Sequence, residues 1–182
     1  MIDMKKTVLA LLMCLMSLTA LCQQRGHFIL GGGAEVIFGD EAAGALFYTL
    51  EAGIAYDILE SLRVSGTLGG FRSVMSFSAT SWWSETAGGP MLRVSAQYLF
   101  LPESSAFRPS ASISAGYRLR VPPEAVPLGQ TASPLRPDGP FLSAGLGADI
   151  RVVGVRLGLT LTGELTGTLR PAAGLRLSFL LP

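Results

Sequence analysis

A two-residue period runs through most of this chain and limits what it can fold into. In RPSASISAGYRLRV, residues 108–121, every second residue from Pro109 reads Pro, Ala, Ile, Ala, Tyr, Leu, Val. The residues between read Arg, Ser, Ser, Ser, Gly, Arg, Arg. Successive side chains of a β-strand point to opposite faces, so this is a strand with one apolar and one polar face. The same alternation fills HFILGGGAEVIF, ALFYTLEAGIAYDI, LRVSGTLGG, MLRVSAQYLF, FLSAGLGADIRV, VRLGLTLTGELT and AGLRLSFLL. About eight strands of roughly ten residues result, with no convincing helix. After LRVSGTLGG the alternation falters. A bulge near Gly69 and Gly70 is expected to reset the phase and bring Phe71, Met75 and Phe77 to the apolar face.

The period does not say which face meets water. In a soluble barrel of the lipocalin kind, the apolar rows would line a ligand cavity and the polar rows would be the surface. Such a surface should be rich in Lys, Glu, Asp and Asn. Here the polar rows are mainly Gly, Ser and Thr with isolated Arg and acids. The only lysines, Lys5 and Lys6, precede the strands. The chain is 49% hydrophobic and only 15% charged, where about 25% charged is usual for a soluble domain. Yet after the N-terminal segment it has no run of ~18 apolar residues that could span as a helix. These rows fit a confined interior, with the apolar rows facing lipid.

On that inner face the phase places the carboxylates Glu35, Glu51, Asp57, Asp149 and Glu164. It also places there Arg63, Arg93, Arg108, Arg118, Arg120, Arg151, Arg156 and Arg176. An eight-stranded barrel is just wide enough for its side chains to fill. Unpaired charges inside would be costly, so these groups are expected to pair across the barrel in a structural role. Arg suits such pairs through its planar, bidentate guanidinium.

The aromatics sort into two sets on the apolar face. Phe28, Tyr56, Tyr98, Phe100, Phe107 and Phe179 fall near one set of strand ends, and Phe38, Tyr48, Phe77 and Tyr117 near the other. Two aromatic girdles mark the two interfaces of a spanning barrel. The connections alternate too. LES, LPESSA and VVG are short, while GDEAAGA, TSWWSETAGG and PPEAVPLGQTASPLRPDG are longer. GTLRPA is short and breaks the trend. Short turns at one end and longer loops at the other are the organisation of an outer-membrane barrel.

The N-terminal segment reads as a cleavable export signal over residues 1–22. Lys5 and Lys6 precede the apolar TVLALLMCLMSLTAL, and ALC before Gln23 fits a small-x-small cleavage site. Both cysteines, Cys14 and Cys22, lie in this leader, so cleavage after Cys22 leaves no thiol for a disulfide or metal site. Lipidation of Cys22 is the alternative, against which Leu21 stands at the preceding position.

From Gln23 onward the chain resembles the small eight-stranded outer-membrane β-barrels of Gram-negative bacteria, the OmpA-like and OmpX-like barrels. The resemblance rests on the leader, strand count, alternation and turn pattern rather than on a residue motif. It implies an all-β fold: a closed eight-stranded antiparallel up-and-down transmembrane β-barrel over residues 23–182. It also implies outer-membrane lipids, the export machinery and the outer-membrane assembly machinery as partners. In that family the last strand usually ends on an aromatic residue read during assembly. Here Phe179 is followed by LLP, a departure from the pattern.

Little in the sequence carries chemistry. His27 is the only histidine and is expected to be a solvated residue at the turn-side mouth. That is the wrong end for a Ser-His site of a lipid-modifying barrel. Gly31, Gly32 and Gly33 are not a phosphate loop, because no Lys-Ser/Thr pair follows and no helix starts there. The formal net charge is +1 and basic residues do not cluster, so nucleic acid is not an expected partner. Trp82 and Trp83 fit a lipid interface or a partner contact. No cofactor is expected. The reading is a non-enzymatic envelope barrel, with loops 79–90 and 122–139 as the candidate surface for an extracellular ligand. A narrow solute channel, a lipid-active enzyme and a soluble lipocalin-like barrel are the alternatives.

Overall fold

The structure, a computed structural model, describes residues 25–39, 44–77, 82–84, 88–119, 138–166 and 170–181. The expected leader, residues 1–22, lies outside the described residues. The strands are β1 (Gly26–Phe38), β2 (Gly44–Leu59), β3 (Leu62–Phe77), β4 (Trp82–Ser84), β5 (Gly88–Leu99), β6 (Phe107–Arg118), β7 (Gly139–Val152), β8 (Val155–Thr166) and β9 (Pro171–Leu181).

Consecutive long strands pair antiparallel, and β9 pairs back onto β1 from Phe28↔Leu181 to Ile37↔Ala172. The sheet has nine strands among the described residues; eight close on themselves, and β4 pairs with Met75–Phe77 of β3, beyond the loop-side start of β5 on the same β3 edge. Closure leaves no strand edge in the barrel wall. In hydrocarbon this is a requirement, since each unpaired backbone group would cost several kcal/mol.

The two shortest connections, β2 to β3 and β7 to β8, lie at one end, the turn end, together with the longer β5–β6 connection. Two residues, Val153 and Gly154, join β7 to β8, with φ of 35° and 79°. Paired positive φ is the tight hairpin geometry that matches strand twist. Glycine adopts it freely, whereas β-branched valine is strained there. The opposite end, the loop end, carries the two longest connections, Phe77 to Gly88 through β4 and Arg118 to Gly139, and the shorter β1–β2 and β8–β9 ones.

The apolar rows face outward. Phe28, Leu50, Leu68, Ile113, Leu146 and Leu161 are among many large apolar residues that are at least 46% exposed. A soluble protein rarely exposes contiguous apolar surface beyond a few hundred Å². Here the belt circles the whole barrel, the reverse of what the soluble lipocalin-like alternative requires. Phe28, Tyr98, Phe100, Phe107 and Phe179 lie exposed toward the turn end, with Phe38, Tyr48 and Tyr117 toward the loop end. Tyr98 and Phe100 meet edge to face at 5.2 Å. The side chain of Phe77 lies outside the described set.

The phase of β3 corrects the sequence reading. Register runs regularly through Glu51↔Gly69 and Leu50↔Gly70, and the slip comes later, where Leu46↔Met75 is followed by Phe47↔Ser73. The extra residue is therefore Val74. Gly69 serves close approach instead: a Cβ there would lie 2.0 Å from the Leu50 carbonyl oxygen. Without a reset at the glycines, Phe71 points inward and is buried, and Arg72 points outward and is exposed. Met75 does reach the outer face, opposite Leu46.

Candidate functional site

Among the described residues, the barrel interior is where polar chemistry is concentrated. It is built in levels. Beneath the loop end, Ile37, Phe47, Phe71, Met91, Phe141 and Ala172 form an apolar plug, each no more than 4% exposed. These are inward positions close to the loop-side ends of β1, β2, β3, β5, β7 and β9. Four large side chains and a methionine fill the bore, and dispersion and exclusion of water hold them there.

Under the plug lies the first ion cluster, with Arg93, Arg118 and Arg176 against Glu35, Glu51 and Glu164. Arg118, on β6, is at its centre. Its Nη2 donates to Glu35 Oε2 at 3.0 Å and to Glu164 Oε2 at 2.9 Å. Its Nη1 donates to Glu164 Oε1, so Glu164 is gripped in the bidentate geometry special to guanidinium. Arg93 is 3.5 Å from both Glu35 and Glu51. Glu51 also pairs with Arg176 and accepts a 2.7 Å hydrogen bond from Thr67 Oγ1. Aromatic faces roof the cations. The Arg118 guanidinium lies 4.2 Å from the Phe141 ring centre and 4.7 Å from Phe47, and Arg93 lies 4.9 Å from Phe141. Plug and cluster are thus one packed unit. Its charges are balanced at three against three, as desolvated groups require.

A second cluster lies toward the turn end. Arg63 donates through Nε to Asp57 at 2.6 Å and through Nη1 to Asp149 at 2.5 Å. Gln97 bridges, donating to Asp149 Oδ1 at 3.3 Å and to Ser110 Oγ at 3.0 Å. His27 Nε2 is 3.4 Å from Asp57 Oδ2. The lone histidine is thus held by a carboxylate instead of being merely solvated. Arg108 and Arg156 face the turns. Arg108 donates to the carbonyl oxygens of Leu101, at 2.9 Å, and Glu60. Arg156 donates to Glu103, at 3.0 Å to its carbonyl and 3.4 Å to its carboxylate.

Most of the inward charges expected from sequence therefore sit in these two groups. Two do not. Arg151 is exposed at the last inward position of β7, opposite Arg156, next to the tight turn. It lies past the packed interior, beside the Arg156 guanidinium. Arg120 lies outside the described residues. The two proposed binding loops fall mostly outside them as well. Residues 88–90 within the first belong to β5, and Trp82–Ser84 form β4.

Sequence reasoning missed the plug. Phe47, Phe141 and Met91 occupy inward phase positions next to polar ones, and the signal was available: large apolar residues on the polar row near one strand end. It also missed Arg72, the one charge on the outward row among the described strand residues.

Outward apolar rows, closed hydrogen bonding and a filled bore of paired charges define the chain as an eight-stranded transmembrane β-barrel. Among solved structures, the chain is similar to the N-terminal β-barrel domain of OprF from Pseudomonas aeruginosa. The match has 14% identity, covers 87% of this chain and 98% of that one, and has a TM-score of 0.50. The translocator domain of the autotransporter NalP from Neisseria meningitidis aligns at 11% identity over 98% of both chains, with a TM-score of 0.44. A de novo designed transmembrane β-barrel aligns at 12% identity over 87% of this chain and 98% of that one, with a TM-score of 0.43. At these identities the likeness is one of fold, and it rests on the OprF domain. No family model and no curated protein matches the sequence.

Proposed function

We propose that the chain is a Gram-negative outer-membrane barrel whose interior is a structural core, and that it acts as an envelope-structural or loop-binding protein. It is neither a solute channel nor an enzyme on this reading. Export and outer-membrane assembly machinery are the partners such a barrel requires. One observation carries the proposal: the plug and the centre of the ion cluster beneath it are closed to solvent. Arg93, Arg118, Glu35, Phe47 and Ile37 are each no more than 1% exposed, and within the cluster only Arg176 keeps partial exposure. A conducting path would need water at this level.

The test is conductance. The mature barrel, checked for the gel shift on boiling that folded barrels show, is expected to give no stepwise conductance in planar bilayers. Discrete conductance steps from folded protein would overturn the sealed reading. Fractionation of tagged cells checks location, with recovery in the outer membrane expected. Loss of a lipid-modifying activity on His27→Ala would support the enzyme alternative instead.

A further inference from the structure

On the reading of this barrel as membrane-spanning, its outer face is not uniform. Along the β2–β3 pair, toward the loop end, the outward register steps are Ala52↔Leu68, Leu50↔Gly70 and Tyr48↔Arg72. At the first of these steps a groove of about 400 Å³ opens between Leu30, Leu50, Ala52 and Leu68. Ala52 is too small to fill it. The walls are hydrocarbon, and Glu51 turns its own side chain inward to the ion cluster.

Two steps further up the same pair stands Arg72. It is exposed, and it forms no hydrogen bond or ion pair with any described residue. Its cross-strand neighbours are Tyr48 and the side-chain-free Gly88. Four residues of strand separate Arg72 from Leu68, about 13 Å along the chain. That offset suits a lipid whose phosphate lies at the interface while its acyl chain descends toward the midplane. An exposed guanidinium at the aromatic girdle is placed for anions, because phosphate accepts its paired N–H donors bidentately.

We propose that the outer face of β1–β3 is a binding site for one phosphate-bearing lipid of the loop-side leaflet. Its phosphate lies on Arg72 beside Tyr48 and one acyl chain fills the groove over Ala52. The charge complementarity selects the phosphate, and the apolar groove two register steps below Arg72 selects a lipid over a free anion.

The test uses the whole barrel folded in phosphatidylcholine vesicles, with spin-labelled phosphatidic acid or diacylglycerol of the same chains as probes. Phosphatidic acid is expected to associate more strongly than diacylglycerol. Arg72→Gln is expected to remove this preference, lowering phosphatidic acid association about tenfold. Ala52→Phe, which fills the groove, is expected to weaken both probes. Equal phosphatidic acid association in the wild-type and Arg72→Gln proteins would overturn the proposal. Full displacement by millimolar inorganic phosphate would also do so, because the site would then serve a free anion. So would a dimer in cross-linking that Arg72→Gln dissociates, because the occupant would be a second copy. The gel shift on boiling separates the two levels. A folded barrel with no lipid preference removes this inference alone, and no folded barrel in vesicles removes the membrane reading with it.

Discussion

At the loop end of the interior, three guanidinium groups meet three carboxylates under aromatic rings. At the turn end, Arg63 meets two carboxylates, while Arg108 and Arg156 spend donors on backbone carbonyls and the rim residue Glu103. The first group reaches across the bore and fastens strands that are not neighbours. The second also crosses the bore through Arg63 and Asp149, but its Arg108 and Arg156 tie the turns to the wall. Removing a cation above therefore orphans carboxylates that water cannot reach. Removing Arg108 or Arg156 frees carbonyls that water at the mouth can solvate.

The sharpest way to break this contrast is Arg118→Met. It leaves Glu35 and Glu164 short of a cation, and a loss of about 3–5 kcal/mol is expected from urea unfolding in vesicles. Combining it with Glu164→Leu should recover part of that loss, since the orphaned carboxylate goes too. If the double variant is no more stable than Arg118→Met, the charges are not acting as a paired unit. Next in size, Phe141→Ala opens the plug and removes the ring shared by Arg93 and Arg118. A loss of about 3 kcal/mol is expected by the same measurement. Below, Arg108→Ala should cost only about 1–2 kcal/mol, with faster hydrogen exchange confined to the amides of the two short turns it contacts. A loss equal to that of Arg118→Met would erase the difference between the ends. The smallest effect expected is a gain. Val153→Asn relieves a β-branched residue at positive φ and should stabilise by about 0.5–1 kcal/mol, read as a higher midpoint in urea.

The strand phases were legible because a period of two leaves only a choice of face, and the Lys-poor polar rows decided that choice. The inward charges followed from phase alone. Which carboxylate each arginine meets did not, since partners such as Arg63 and Asp149 lie on strands apart in the ring. Phe71 was misplaced and Arg72 passed over because two adjacent glycines read as a break in the pattern. In the barrel Gly69 lets backbones approach, and the slip falls at Val74 instead. Arg151 was assigned inward correctly by phase, yet phase carries no information about where a strand leaves the packed bore. The plug was unreadable for a related reason: alternation distinguishes faces but not levels along the axis.

The seam between β1 and β9 has a kinetic consequence. It joins the first and last strands of the ring, so it closes the longest loop in the molecule and carries the greatest entropic cost of closure. Until β9 arrives, β1 offers Gly31, Gly32 and Gly33 as an open hydrogen-bonding edge. An unsealed intermediate of this kind pairs readily with another chain. The open β1 edge is thus the hazard this topology carries until the ring closes.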